Sequence, residues 1–169
     1  LSWCMGATVC MTSYAQASQQ FEESYRLFRA LGYTAGMAWA LNAWGSMGGF
    51  LGAYAQARRR IEKALEIYRT LDDDSGVSAS LSRLAAIACV QGRFEEGEDL
   101  AREGVAAAMA GRDRSELAFA LLQLGSALEK AAKFSEAHAV AQQSLALYCD
   151  VGHDPYITQA HSVLASIDL

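Results

Sequence analysis

Apolar residues recur along this chain at three- and four-residue steps, as in Ile61, Leu65 and Tyr68 or Leu81, Leu84 and Ile87, with small and charged residues between them. That spacing puts one stripe of side chains on the face of an α-helix, and the alternation of a half-buried strand is nowhere sustained. The stripe is interrupted at short polar or glycine-bearing steps: Gly32-Tyr33, Gly52-Ala53, Asp72-Asp73-Asp74, Gly92-Arg93, Gly111-Arg112-Asp113, Ala132-Lys133 and Gly152-His153-Asp154-Pro155. Between these breaks about nine helices are predicted, over 2–11, 15–30, 35–51, 55–70, 75–90, 94–110, 114–131, 135–149 and 155–167. Asp74 or Ser75, Asp113 and Asp154 are placed to cap helix starts, and Pro155 suits a first helical turn, where its missing N–H goes unused.

The pattern repeats. Tyr14, Tyr54, Phe94 and Phe134 stand forty residues apart, and each opens a similar phrase, such as Tyr14-Ala-Gln-Ala17 and Tyr54-Ala-Gln-Ala57. Leu41, Leu81 and Leu121 keep the same step, and Trp44, Leu84, Leu124 and Leu164 are each followed by a small residue. Two further columns are small throughout: Ala17, Ala57, Gly97 and Ala137, then Ser24, Ala64, Gly104 and Ser144. Helix axes approach to about 8 Å only where the crossing residues are small, which explains such columns. Breaks fall twice in each period, which therefore holds two helices, so the unit is an antiparallel helical hairpin. Hairpins that contact mainly their neighbours imply an all-α, right-handed superhelical solenoid with a concave and a convex face. The expected division is a single repeat domain over 1–169: a partial repeat 1–13 plus 14–33, repeats 34–73, 74–113 and 114–153, and a partial repeat 154–169. A start at Leu1 without methionine and a stop at Leu169 in mid-pattern suggest a fragment of a longer chain.

Composition narrows the function. The 169 residues are 52% hydrophobic and 20% charged, with a mean hydropathy of +0.07, as in an ordinary globular domain. Fourteen basic and nineteen acidic residues leave a net charge of −5, which argues against a sequence-independent grip on nucleic acid or anionic lipid. No apolar run reaches the roughly 18 residues of a membrane span, and no signal-peptide pattern is present, so a cytoplasmic protein is expected. Cys4, Cys10, Cys89 and Cys149 show no paired spacing and read as reduced thiols. His138, His153 and His161 lack metal-ligand spacing, and no GxSxG nucleophile phrase occurs. The sequence therefore predicts no metal, no cofactor and no enzymatic activity.

The columns resemble tetratricopeptide repeats. Leu124-Gly125 matches the Leu-Gly of that family's first helix, Leu41, Leu81 and Leu121 its opening tryptophan, Ala57 and Ala137 the alanine opening its second helix, and Phe21 and Ile61 the second-helix aromatic position. The departures are a period of forty instead of the usual ~34 and the lack of a proline closing the second helix. The phrases running Phe21–Gly32, Gly36–Asn42 and Ile61–Asp72 are similar to the longer repeat in the C-terminal arm of bacterial signal-transducing ATPases and of large transcriptional regulators of the maltose-regulator and antibiotic-regulator type. That resemblance implies a sensor or protein-docking arm whose nucleotide-binding and effector domains lie elsewhere.

In such an array the first helices line the concave face, and the resemblance places Trp39, Asn42, Phe50, Arg83, Phe119, Gln123 and Lys130 there. Asn42, Arg83 and Lys130 do not reproduce the carboxylate clamp of the family's chaperone-tail binders. The aromatics suit an apolar peptide or helix, or a small effector, with packing between hairpins as the competing reading. Self-association through open ends is the alternative, carried by Trp3, Val163, Leu164 and Ile167. Arg58-Arg59-Arg60 offers a weaker nucleic-acid reading, but Glu62 and Glu66 stand at helical partner spacing and favour a solvated face. The run Gly45-Ser-Met-Gly48-Gly49-Phe-Leu-Gly52 lacks the Lys-Ser/Thr of a phosphate loop, so Gly48 and Gly49 are expected to mark a close backbone approach or a hinge. Asp72-Asp73-Asp74-Ser75-Gly76 lacks calcium-loop spacing and reads as a turn with a cap.

Overall fold

The computed structural model describes the backbone of residues 2–152 and 154–167, and the side chains of 13–152 and 156–166. The described residues form eight helices and no strand: α1 (Ser2–Ala30), α2 (Thr34–Phe50), α3 (Tyr54–Thr70), α4 (Asp74–Val90), α5 (Phe94–Gly111), α6 (Arg114–Lys130), α7 (Phe134–Val151) and α8 (Asp154–Ile167). The nine predicted helices become eight because 2–11 and 15–30 are one continuous helix. Met11-Thr12-Ser13-Tyr14 contains neither glycine nor proline, so nothing there forces the chain out of helical geometry.

Every other break is a turn of one kind. A residue with positive φ stands at 32, 52, 72, 92, 112, 132 and 152, a step of twenty throughout. The forty-residue repeat is thus two helix-plus-turn units. Gly32, Gly52, Gly92 and Gly152 take this left-handed conformation without a β-carbon clash, whereas Asp72, Arg112 and Ala132 adopt it as non-glycine residues. At four of the turns the third residue past the helix donates back across its last turn: Tyr33 to the Phe28 carbonyl, Ala53 to Gly48, Arg93 to Ala88 and Lys133 to Leu128, at 2.8–2.9 Å. These bonds satisfy carbonyls that the helix end leaves open and fix the reversal of the chain. At the acidic turn the cap is Asp73, which accepts from the Gly76 N–H at 2.9 Å, in place of the expected Asp74 or Ser75. The side chains of Asp154 and Pro155 lie outside the described residues.

The chain divides into two compact units, Leu1–Asp72 and Asp73–Leu169. In the first, α2 packs against both α1 and α3. Ala38, Leu41, Ala57, Ile61, Ala64 and Leu65 are buried in it, and a β-carbon at Gly45 would lie 2.5 Å from Ile61 Cγ1 and 3.0 Å from the Ala57 carbonyl oxygen. Glycine is what lets α2 and α3 meet this closely. Gly48 is different: its nearest neighbours would be 3.4 Å or more away, an ordinary contact, so the expected close approach belongs to Gly45. Trp44 donates from Nε1 to Ser18 Oγ at 3.0 Å, and the Arg60 guanidinium lies 3.7 Å above its ring.

In the second unit, α4 pairs with α5, α6 with α7, and α8 packs on α7 and α6. A close approach recurs at Gly97, against Cys89 and the Ala85 carbonyl, whereas a β-carbon at Gly125 would make only ordinary contact with Ala137 and Ala141, at 3.6 Å. One core cluster gathers Ala85, Ala101, Leu124, Ala127, Leu128 and Ala137, and another gathers Ala118, Leu122, Ala141, Tyr148, Ala160 and Val163. Between α5 and α7 the nearly buried Glu98 accepts from Lys133 Nζ at 2.7 and 2.8 Å and from Arg102 Nη2 at 3.0 Å, while Arg102 also reaches Glu136. The hydrogen bond from Lys133, with Arg102 adding to it, holds the Glu98 carboxyl below the usual range despite its burial.

Candidate functional site

The second unit carries a cleft of about 190 Å³ lined by Arg83, Asp113, Ser115, Glu116, Phe119, Tyr148 and Tyr156. Asp113 is part of its lining. As the N-cap of α6 it accepts the backbone N–H groups of Ser115 and Glu116 at 2.9 and 3.1 Å, which fixes the first turn. Glu116 and Phe119, three residues apart, then project from one side of α6. From α4, Arg83 anchors Nη1 on the Ala79 carbonyl at 2.8 Å and holds its guanidinium 5.6 Å from the centre of the Phe119 ring. Tyr148, in the last turn of α7, stacks on Tyr156 in the first turn of α8 at 5.1 Å and 10°, and Tyr156 meets Phe119 edge-on at 6.0 Å.

Two groups in this cleft are electrostatically unsettled. Burial pushes the Glu116 carboxyl above its ordinary range; Arg83 and a 3.3 Å hydrogen bond from Ser78 oppose the shift, while Asp113 and Asp73 add to it. Tyr148 is 1% exposed, and its hydroxyl oxygen is buried without a hydrogen-bond partner among the described residues. Desolvation pushes that phenol upward, with Tyr156 and Glu116 contributing. A buried hydroxyl without a partner is costly, and Tyr148 is part of the cleft's lining. Aromatic faces, a half-shielded carboxyl and an unpartnered hydroxyl together are a binding chemistry.

Of the residues expected on the concave face, Arg83 and Phe119 meet in this cleft, whereas Gln123 and Lys130 lie outside its lining. Lys130 is exposed, 3.3 Å from Glu129. In the first unit, all three expected residues belong to α2. Trp39 is 54% exposed with its ring against Phe21, and Phe50 is 64% exposed and stacked on Tyr14 at 5.2 Å. Asn42 is instead buried, and its Oδ1 has no partner among the described residues. Of the expected end residues, Val163 is covered within its own unit and Leu164 is partly buried against the same cluster; the side chains of Trp3 and Ile167 lie outside the described residues. Arg58 is bonded to Glu62 at 2.7 Å, Arg60 sits over Trp44, and Arg59 is exposed.

Sequence reading missed Glu116, Tyr148 and Tyr156. A signal for two of them was present: Gly36, Gly76, Glu116 and Tyr156 form one forty-residue column, in which glycine gives way to large functional side chains. Tyr148 shares a column with Phe28 and Tyr68 and looks like core, which it also is.

Residues 76–150 match the Tetratricopeptide repeat family. Among curated proteins no sequence match is found. Among solved structures, the crystal structure of BtubC (BKLC) from P. vanneervenii superposes with a TM-score of 0.71 at 17% identity, over 92% of this chain and 65% of that one. At that identity the likeness concerns the fold, and this chain spans about two thirds of that protein's length. The family match and the structural neighbour together support an array of tetratricopeptide-type helical hairpins. Among the described residues no helix is long and apolar enough to cross a membrane.

Proposed function

We propose that this chain is a docking module that binds a protein or peptide, and that it serves in the cytoplasm as the sensor or docking arm of a larger bacterial regulator or signalling ATPase. Tetratricopeptide repeats mediate protein–protein interaction, which supplies the general class. The observation that carries the reading is the set of exposed or half-exposed aromatics on first helices, Trp39 and Phe50 in one unit and Phe119 in the other. Such rings are the anchors that peptide grooves use, because they bury large area with few torsions to freeze. Peptide-display selection against the full chain tests it. An enriched sequence motif whose binding falls when Trp39→Ala or Phe119→Ala is introduced supports docking; no enrichment, or binding indifferent to both substitutions, overturns it.

Self-association is the second reading, favoured by Val90 and Phe134, which remain 66% and 51% exposed. Nucleic-acid contact through Arg58–Arg60 is weaker, since Arg58 and Arg60 are engaged on their own unit.

A further inference from the structure

We propose that the cleft formed by α4, α6, α7 and α8 receives a basic side chain, the guanidinium or ammonium group of an arginine or lysine on a peptide partner. The inference rests on the docking reading and names what one pocket of that surface selects. In this arrangement the incoming cation faces the Glu116 carboxylate, lies along the Tyr156 ring, and donates a hydrogen bond to the Tyr148 hydroxyl.

Charge decides the sign of the ligand. The charged groups that act on Glu116 are Arg83 in α4 and the two N-cap residues Asp73 and Asp113, so three carboxyl groups, Glu116 included, stand against one guanidinium. That guanidinium is already turned to the Ala79 carbonyl and the Phe119 ring. An anionic ligand would add to the excess, and an apolar side chain would bury Glu116 further and leave the Tyr148 hydroxyl without a partner. A cation relieves both. It offsets the carboxylate excess that Arg83 alone leaves around Glu116, gives the Tyr148 oxygen the donor it lacks, and gains from the electron-rich faces of Tyr156 and Phe119. A cleft of about 190 Å³ has room for one side chain, not a folded element.

The inference has a pH signature. A cation needs Glu116 ionised, so affinity is full above the raised Glu116 value and declines as the pH falls through it; Arg83, Asp73 and Asp113 are the other charged groups acting on this carboxyl, and Tyr148 and Tyr156 are the titratable groups that line the cleft with it. Binding of a cation lowers the Glu116 value and therefore releases protons near it.

The experiment is a titration of the full chain, followed by amide NMR, with three capped pentapeptides that carry arginine, lysine or norleucine at the centre of an alanine host. Shifts centred on Glu116, Phe119 and Tyr156 with arginine or lysine, and none with norleucine, are expected; equal shifts with norleucine overturn the cation. Glu116→Gln is expected to fold and to weaken the basic peptide about tenfold or more, and Tyr148→Phe to fold with a higher thermal midpoint yet bind more weakly. Unchanged affinity in Glu116→Gln overturns the proposal. Display motifs that depend on Phe119 but are devoid of arginine and lysine would overturn the cation while leaving docking intact. An absence of any display motif would overturn docking itself.

Discussion

Gly45 and Gly48 are three residues apart in α2, both are buried, and they behave oppositely when a methyl group is considered. At Gly45 the added carbon would sit 2.5 Å from Ile61 Cγ1, on a fully buried β-branched side chain, and 3.0 Å from backbone oxygen. Gly45→Ala is expected to lower stability by about 1–2 kcal/mol, overpacking exceeding the gain in helix propensity. At Gly48 the nearest atoms are Arg60 Nη1 at 3.4 Å and Ala57 Cβ at 3.5 Å, so Gly48→Ala is expected to stabilise by up to ~1 kcal/mol. Urea denaturation of the two variants beside the parent checks both signs. Glu98 carries the second residue-scale prediction. Its folded value is depressed by Lys133 and Arg102, so its contribution is present above the ordinary carboxylate range and is lost as the pH falls through the lowered folded value. Glu98→Gln should cost on the order of 1 kcal/mol at neutral pH, because the two cations are half exposed and screened, and should flatten the acid limb of a stability-against-pH curve. An acid limb identical to the parent's would remove Glu98 from the account.

At the scale of elements, helix lengths are set by turns that recur every twenty residues. Four of the seven left-handed positions are glycine; Ala132, at φ 59°, is strained by its own β-carbon. Ala132→Gly is expected to raise stability by about 1 kcal/mol and the thermal midpoint with it, since relief of the left-handed strain outweighs the entropy that glycine adds to the unfolded chain. A lower midpoint would show that the methyl group makes contacts worth more than its strain. The same turns decide which helix boundaries are legible in the sequence. Gly-Tyr, Gly-Ala and Gly-Arg steps announce a left-handed residue, so α2 to α7 were legible to within a residue or two. The break expected between 11 and 15 rested on the period alone, and α1 continues through it because no residue there prefers to leave the helix. The acidic turn was legible as a cap, but whether Asp73 or Asp74 performs it depends on backbone angles that neighbouring aspartates do not reveal.

For the whole molecule, the open quantity is its mass in solution. A net charge of −5 repels copies from one another, and Val163, expected at an open end, is covered by α6 and α7 of its own unit. Light scattering behind size exclusion over a hundredfold concentration range is expected to give 18.2 kDa throughout. A larger, concentration-dependent mass would favour the self-association reading, and charges placed at Val90 and Phe134 would then test which surface is responsible.

What the sequence determined by itself is local and periodic: the helical stripe, the small columns where helices meet, the turns, and hence the array of hairpins. Those features repeat because each hairpin solves the same packing problem with its neighbour, and repetition is visible in one dimension. What only the tertiary structure decided is the cleft. Arg83 and Phe119 were legible as first-helix residues, but Tyr148 lies on a second helix in a core-like column, Tyr156 follows a different turn, and Asn42 is buried where an open face was expected. Their convergence depends on how α4, α6, α7 and α8 stack, and the charge state of Glu116 depends on how much water that stacking removes. Spacing along a chain records which residues share a helix face; it does not record which faces meet, or what is left dry between them.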